Sequence, residues 1–149
     1  MDLSKQYNSF ARDFSDAHDV GENSNRDNRK IFYNHIDFIE PETKLLDVAC
    51  GDGLDLVYYK NLGAEISGID SSEDLIAIAK NRLPDEDIRV CAFEKIPFDD
   101  NSFDVVLSKY AIQTAPDMNP VFSEIARVLK PGGTMMYLVT HPFRQYIEK

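Results

Sequence analysis

The sequence predicts one α/β domain with an open, mostly parallel, doubly wound sheet that has helices on both faces and further helices before it. Two observations favour this fold class. From Lys44 onward, short apolar runs alternate with longer amphipathic segments, which is the pattern of strands joined by helical crossovers. The chain has 149 residues, of which 43% are hydrophobic, so it can build one compact core but not two.

Residues 1–40 are expected to form a helical lid or cap, and residues 41–149 the core domain. The segment is polar and irregular at first, and residues 16–28 are acidic and rich in Asn, which predicts a loop. Helical spacing then predicts an amphipathic helix from Ile31, Phe32, His35, Ile36, Phe38 and Ile39. The aromatic side chains expected to pack these helices onto the sheet are Phe10, Phe14, Phe32 and Phe38.

The core is predicted to contain five strands and three helices. The strands are expected at residues 44–49, 65–69, 88–92, 102–108 and 134–140. The helices are expected at residues 55–62, 73–82 and 120–129, the second capped by Ser71 or Ser72. Residues 130–133 (KPGG) are interpreted as a capped turn. Residues 99–102 are interpreted as a solvated loop, so no metal site is predicted.

The totals exclude several partners. No apolar stretch approaches the roughly 18 residues of a membrane span, and no apolar signal core begins the chain, so a cytoplasmic location without membrane contact is expected. The net charge of -10 repels a phosphate backbone, so nucleic acid is not expected as a partner. Cys50 and Cys91 lack zinc-type spacing and are expected to be small buried residues.

The most informative segment is residues 45–53 (LLDVACGDG), a strand that runs into a tight turn before a helix. Gly51 and Gly53 let the backbone turn sharply and lie close to a ligand, since a side chain there would fill the ligand's space. An ordinary strand-to-helix turn also favours Gly. A dinucleotide site requires a third Gly where this chain has Leu56, and Asp47 suits a ligand with a positive ammonium group better than a pyrophosphate.

A second carboxylate, Asp70, follows the second predicted strand. A carboxylate at the tip of the strand beside the Gly-rich turn can accept both hydroxyls of a ribose. Asp70 could instead begin the next helix, where acidic residues are favoured. The ribose interpretation indicates a nucleoside ligand, and it fits both a dinucleotide and a nucleoside with an ammonium group.

Four segments in order carry a family resemblance: LLDVACGDG, GID, FEKIPFDDNSFDVVLS (93–108) and EIARVLKPGGTMMYLV (124–139). In order and spacing they resemble the successive motifs of class I, Rossmann-like methyltransferases that act on small molecules, and the resemblance extends from about Tyr7 to the last strand. This family uses S-adenosylmethionine and releases S-adenosylhomocysteine. The leading hypothesis is therefore methyl transfer to a small-molecule acceptor.

The resemblance also implies roles for individual residues. It implies that Asp47, Ala49 and Gly51 line the methionine end of the cofactor in the turn that includes Gly53, and that Asp70 binds the ribose. It implies that Ser71 lies beside the adenine, that Phe93 and Glu94 close over it, and that Ser108 lies near the sulfonium and amino groups. Tyr7 begins a segment that looks like the family's lid. The expected contacts to the methyl acceptor are Tyr7, Tyr110, Gln113 and His141, each of which could also be structural.

Three departures from the family pattern matter. Cys91-Ala92 stand where relatives usually have Gly-Asp, so backbone groups or Glu94 would have to contact the adenine amino group. Gln113-Thr114 replace a common His pair, which removes two candidate bases. Relatives also continue past the fifth strand, so we expect its open edge to be covered by another copy in a homo-oligomer, or the substrate pocket to be compromised.

Two rival hypotheses stand beside this one. The first is a non-catalytic S-adenosylmethionine-binding or partner subunit, which the early end of the chain and the lost His pair favour. The second is an NAD-dependent oxidoreductase, which Leu56 and Asp47 disfavour.

Overall fold

The computed structural model describes residues 3–20 and 25–140. The helices are α1 (Leu3–Val20), α2 (Asn25–Tyr33), α3 (Leu54–Asn61), α4 (Glu73–Arg82) and α5 (Met118–Val128). The strands are β1 (Lys44–Val48), β2 (Glu65–Asp70), β3 (Asp87–Val90), β4 (Phe103–Lys109) and β5 (Leu129–Leu138). A 3-10 turn covers Ile112–Thr114. No helix in this described part of the chain is both long and apolar enough to cross a bilayer.

The five strands form one parallel sheet in the order β3-β2-β1-β4-β5. The chain moves outward from β1 to β2 and β3, and then crosses to the other side of β1 to add β4 and β5. Strand order therefore reverses between β1 and β4, and ligands of open α/β sheets bind outside the carboxyl ends of the strands at such a point. The predicted fold class is confirmed.

Each face of the sheet buries its own apolar cluster. Leu45 of β1 and Leu107 of β4 pack with α3 and α4 on one face, and the fully buried Leu56 of α3 belongs to this cluster. Leu46 of β1 and Val106 of β4 pack with α5 on the other face. Because neighbouring residues of a strand point to opposite faces, the near-continuous apolar runs of β1 and β4 supply both clusters.

The N-terminal helices differ from their prediction. Residues 16–28 were expected to form a loop, but α1 continues to Val20 and α2 begins at Asn25. The polar character of the exposed Asp16 therefore marks the outer side of a helix. The predicted helix over residues 31–39 is confirmed only to Tyr33, where α2 ends, and hydrogen-bonded turns then bring Ile36 and Ile39 into the core.

One aromatic assignment in this region is also wrong. Phe32 is buried in the core as expected, but Phe38 is 38% exposed. The helical spacing placed Phe38 on the apolar face, and the turns after α2 instead direct it outward. Phe38 therefore does not pack a helix onto the sheet.

The fifth strand begins earlier than predicted. Leu129 already pairs with Phe103, and pairing resumes where Thr134 meets Val105, so residues 130–133 form a bulge within β5. Gly132 has φ 82° in this bulge, and a Cβ on it would meet no atom within 4 Å. The expected capped turn is thus an outward excursion of the edge strand, which ends at Leu138 and not at residue 140.

Helix α1 is fixed to the core by polar contacts on α4 and its cap. The Ser72 hydroxyl donates a hydrogen bond to Asn8 Oδ1, and Arg82 Nη2 donates to Ser15 Oγ at 2.9 Å. Arg82 also forms an ion pair with Asp52, which is 1% exposed in the turn after β1. These contacts place α1 beside the carboxyl end of β1.

Candidate cofactor and substrate site

The turn after β1 is built from left-handed backbone conformations. Ala49, Gly51 and Gly53 have φ of 67°, 57° and 78°. A Cβ on Gly53 would lie 2.9 Å from the Cβ of Ala79, so only glycine lets α3 begin this close to α4. A Cβ on Gly51 would meet only Phe14 of α1, at 3.7 Å. The backbone of Gly51 therefore faces open space that a ligand can enter.

Asp70, the last residue of β2, is tied to this turn. Its carboxylate accepts hydrogen bonds from the backbone N–H of Gly51 and of Ser72, each at 2.9 Å. Burial raises the pKa of Asp70, and its hydrogen bonds from backbone N–H groups oppose that shift. Since a carboxylate has about four acceptor positions, Asp70 can still accept hydrogen bonds from a ligand.

Asp47 of β1 is a buried carboxyl group, 4% exposed, at the same edge of the sheet. Burial raises its pKa to about 8, repulsion from Asp55 adds to that shift, and the charge of Lys109 opposes it. These neighbours act on Asp47 through charge and not through hydrogen bonds. A buried carboxylate without a donor is stabilised when a cation binds beside it.

A polar cluster that the sequence analysis missed surrounds Asp55, in the first turn of α3. Asp55 accepts a hydrogen bond from the Tyr33 hydroxyl and forms ion pairs with Lys109 and with Arg29, the latter at 3.1 Å. Helix α2 is thereby linked to α3 and β4 at the carboxyl edge of the sheet. The sequence feature that could have indicated this cluster is Lys109, which directly follows the predicted site residue Ser108.

The end of β4 supplies two unusual residues. Ser108 is 1% exposed, and its hydroxyl makes no hydrogen bond with any described residue. Tyr110 has φ 56°, a strained value for an aromatic residue, and its N–H donates to Leu138 O at 2.6 Å. The unpaired hydroxyl and the strained backbone mark this strand end as a candidate site.

Gln113 lies in the 3-10 turn that follows β4. Its Nε2 donates to Thr140 Oγ1 at 3.5 Å, whereas its buried Oε1 has no hydrogen-bond partner among the described residues. This carbonyl oxygen can accept a hydrogen bond from a bound molecule. His141, the other candidate of this region, lies outside the described residues.

Three aromatic side chains of α1 lie together near the turn after β1. Tyr7 contacts Phe10 and Phe14, with ring centroids 5.4 and 6.3 Å apart. Phe14 is also the residue that faces Gly51. Tyr7 is therefore brought to the neighbourhood of the glycine turn through its aromatic neighbours.

The remaining predicted residues lie beyond β2 and β3. Ser71 is exposed directly after Asp70. Phe93 is half-buried against the apolar cluster below the loop that follows β3, and Glu94 is exposed. Because Cys91 N donates to Asp70 O at 2.8 Å, this loop leaves the sheet next to Asp70.

Leu56 separates this site from a dinucleotide site. A Cβ on Gly68 of β2 would lie 2.7 Å from Leu56 Cδ1, so the close approach of helix and strand relies on a glycine in the strand. In the dinucleotide fingerprint the helix supplies that glycine. In this chain the helix has the fully buried Leu56 at that position, and the glycine that allows close packing is Gly68 of the strand.

The opposite edge of the sheet contains an open groove of about 560 Å³. It is lined by the first residues of several strands, including Lys44, Glu65 and Asp87. None of the predicted site residues lies there. The described residues also contain no group of three or more His, Cys, Asp or Glu that could hold a metal ion.

The glycine turn, the carboxylates of β1 and β2, and the strand-order reversal define a nucleoside-cofactor-binding α/β domain of the S-adenosylmethionine-dependent methyltransferase class. The chain belongs to the family described as the methyltransferase domain, whose sequence profile matches residues 46–137. The predicted family is confirmed. S-adenosylmethionine is the cofactor of this class, and the rival assignment to NAD-dependent oxidoreductases is not supported.

Known proteins of this family resemble the chain in sequence and in structure. It is 41% identical to demethylmenaquinone methyltransferase of Chlorobaculum tepidum over 63% of this chain and 39% of the relative. The identity to the Lactococcus lactis enzyme of the same name is 37%, over 66% of this chain and 42% of the relative. The chain thus spans about two fifths of the length of the curated relatives it matches.

Solved structures give the same fold. An S-adenosylmethionine-dependent methyltransferase from Mesorhizobium loti superposes with a TM-score of 0.66, at 26% identity over 70% of this chain and 49% of that chain. A chain from the complex of the Haloferax volcanii Trm112 methyltransferase activator with a methyltransferase gives a TM-score of 0.77, at 29% identity. That match covers 88% of this chain and 58% of that chain.

Proposed function

We propose that this chain binds S-adenosylmethionine and transfers its methyl group to a small organic acceptor. The observation that carries the proposal is the placement of two buried carboxylates, Asp47 and Asp70, on adjacent strands on either side of the open turn at Gly51. Asp47, which has no hydrogen-bond donor among the described residues, suits an ammonium group, and Asp70, which keeps an acceptor position, suits a ribose.

The residues present fit the cofactor at both ends. Asp47 would hold the amino group of its methionine part, and Ala49 and Gly51 would let that part lie against the backbone. Asp70 would accept a ribose hydroxyl, since backbone N–H groups of Gly51, Ser71 and Ser72 occupy only three of its roughly four acceptor positions. The buried, unpaired hydroxyl of Ser108 would complete the methionine end.

The adenine ring would extend from the ribose toward the loop after β3. Ser71 would lie along one side of the ring, and Phe93 and Glu94 along the other. The support for this assignment is the hydrogen bond from Cys91 N to the main-chain carbonyl oxygen of Asp70, which places the start of the loop beside the residue that carries the ribose carboxylate.

When bound, the cofactor supplies a methyl group that its sulfonium has already activated, so the protein's task is to orient the acceptor and exclude water. Tyr110 and the free carbonyl oxygen of Gln113 would contact the acceptor at the end of β4. Tyr7 of α1 would close over it from the opposite side, with residues 1–40 acting as the lid. His141 stays a candidate for the same pocket.

The acceptor class follows from the charge and polarity of these groups. Gln113 Oε1 requires a hydrogen-bond donor, which a hydroxyl or amine on the acceptor would supply. The curated relatives act on demethylmenaquinone, as their names state. We therefore expect a small organic molecule that presents a hydroxyl or an amine as hydrogen-bond donor.

Isothermal titration calorimetry with S-adenosylhomocysteine tests the proposal directly. We expect micromolar binding by the purified chain, loss of at least about tenfold in affinity in Asp70→Asn, and no comparable binding of NADH. Asp104→Asn is the matched control, because Asp104 is a partly exposed carboxylate at the opposite edge that also accepts a backbone N–H, from Lys44. Equal binding by wild type and Asp70→Asn would contradict the ribose assignment.

A non-catalytic partner subunit is the second candidate function. It shares the cofactor site, so binding alone does not separate it from an enzyme. Strand β5 lies at one edge of the described sheet, and we propose that a second copy covers this edge. Sedimentation equilibrium tests the dimer, and turnover of tritiated S-adenosylmethionine with hydroxylated acceptors tests for catalysis.

A further inference from the structure

Arg127 binds the irregular loop between β3 and β4 at several points, and Arg89 adds one hydrogen bond, to Pro97 O. Residues 91–102 of this loop contain no helix or strand, so their backbone groups need partners from elsewhere. Arg127, in the last turn of α5, donates hydrogen bonds to Ile96 O and Phe98 O, each at 2.8 Å. It also donates to Asp100 Oδ1 at 2.9 Å. One guanidinium thus joins three points of the loop.

Glu124, one turn earlier on α5, binds both Arg127 and the loop. We call the pair Arg127 and Glu124 the clamp. Its two carboxylate oxygens accept from Nε and Nη2 of Arg127, each at 2.8 Å, and Oε2 also accepts from Ile96 N at 2.8 Å. The bidentate pair fixes the plane of the guanidinium, and the hydrogen bond from Arg127 lowers the pKa of Glu124. Both the N–H and the C=O of Ile96 are therefore bound by the clamp.

The clamped residues lie directly after the segment that would contact adenine. Ile96 is 3% exposed and packs against α5, two positions after Glu94. At its other end the segment is joined to β2 by the Cys91–Asp70 backbone hydrogen bond. Residues 92–95 thus span the interval between the ribose carboxylate and the clamp.

This interval lacks a side chain suited to the adenine amino group at its start, where the sequence has Cys91-Ala92. Recognition of that amino group would then depend on backbone carbonyls of the loop or on the exposed Glu94. A backbone contact is specific only if the loop has one conformation. The lack of a dedicated side chain makes the clamp important for recognition.

We propose that Arg127 and Glu124 act as positioning residues that hold residues 92–95 for recognition of the adenine amino group. The inference rests on the proposed function, because it requires that S-adenosylmethionine occupies the site. Neither residue contacts the cofactor in this arrangement. Their effect reaches the ligand through the conformation of the loop.

The experiment compares two ligands that differ at the amino group. S-adenosylhomocysteine and its deaminated analogue S-inosylhomocysteine are titrated into wild type, Arg127→Lys and Glu124→Gln. Lysine keeps the charge but cannot bind two carbonyls and a carboxylate in one plane. We expect Arg127→Lys to lose about tenfold in affinity for S-adenosylhomocysteine and little for the analogue, so that the wild-type preference disappears.

Hydrogen–deuterium exchange supplies a readout that needs no ligand. Peptides that cover residues 92–101 should exchange faster in Arg127→Lys, while those from β1 should not change. Lys130→Met is the matched control, since Lys130 follows α5 closely but forms an exposed ion pair with Asp104 at the other edge. It should leave both exchange and ligand preference unchanged.

Different outcomes would contradict this inference or the proposed function on which it rests. A variant whose loop exchanges faster but whose preference for adenine is retained would show that the clamp is merely structural. A wild type that binds both ligands equally would show that the amino group is not recognised. A wild type that binds neither ligand would instead refute the proposed function. If Arg127→Lys does not fold, Glu124→Gln, which retains the shape of the side chain, gives the same comparison.

Discussion

Lys109, the last residue of β4, forms an ion pair with Asp55, in the first turn of α3. The pair lies at the carboxyl edge of the sheet, close enough to act on the buried Asp47 of β1 through charge. Lys109 lowers the pKa of Asp47, whereas burial and Asp55 raise it. This balance determines how much of Asp47 is ionised at neutral pH, and therefore how well it can bind an ammonium group.

Lys109→Met should weaken S-adenosylhomocysteine binding at pH 7. Without the lysine, the pKa of Asp47 rises further and less of the carboxyl group is ionised when the ligand arrives. We expect a loss of roughly fivefold, about 1 kcal/mol, as for a partly exposed charge pair. The loss should become smaller at pH 9, where Asp47 is ionised in both proteins. Lys130→Met is the control, and equal losses at both pH values would contradict this explanation.

Asp47→Asn should stabilise the protein above neutral pH and impair cofactor binding. Asp47 has an ordinary pKa of 3.8 and a pKa of about 8 in the folded protein, so folding favours the protonated form. Its contribution to stability is complete below pH 4 and is lost as pH rises to about 8. At pH 8 the variant should therefore gain on the order of a few kcal/mol.

Thermal unfolding of wild type and Asp47→Asn between pH 5 and 8 measures this effect. The wild-type melting temperature should fall relative to that of the variant as the pH increases. A constant difference across the range would mean that Asp47 is not the group that titrates. Affinity for S-adenosylhomocysteine should meanwhile fall by at least about tenfold in the variant at pH 8.

Tyr110→Asn should preserve folding while reducing methyl transfer. The left-handed backbone at position 110 disfavours tyrosine, and asparagine adopts it more readily, which contributes about 1 kcal/mol in favour of the variant. The acceptor would lose its aromatic contact at the end of β4. We expect cofactor affinity within about twofold of wild type. A large loss of stability would mean that the Tyr110 ring is mainly a packing residue.

Gly68→Ala should destabilise the domain by about 1 to 3 kcal/mol through overpacking. The added methyl group would lie 2.7 Å from Leu56 Cδ1 and 2.9 Å from Cys50 Sγ, both in the core. Chemical denaturation measures the loss. In the double variant that also carries Leu56→Ala, the added methyl group would lose its contact with Leu56 and keep only the one with Cys50, so the two changes should be less than additive. Full additivity would exclude this contact as the cause.

The sheet, and the candidate site at the carboxyl ends of its strands, could be predicted because the sequence patterns that indicate them are local. The run from Leu45 to Gly53 combines a buried strand with residues suited to left-handed turns, and α4 was predicted with its observed bounds, Glu73–Arg82, from a cap and helical spacing. Asp47 and Asp70 were identified as site candidates from their positions at strand ends. Parallel topology then brings such ends to one edge.

Other features depend on contacts between distant parts of the chain. The clustering of Arg29 and Tyr33 around Asp55 requires α2 to lie against α3, which no local pattern indicates. The course of α1 depends on Ser15 meeting Arg82, 67 positions away. The roles assigned to the individual site residues stay predictions until a ligand is bound.

The central pairing of the sheet has a consequence for synthesis of the protein. β1 pairs with β2 and with β4, and a hydrogen bond from Lys44 N to Asp104 Oδ2 joins residues 60 positions apart. On the ribosome, the first three strands emerge before β4, so one side of β1 is exposed during that interval. A chaperone that captures nascent strands should therefore bind stalled chains from which β4 has not emerged, and release those from which it has.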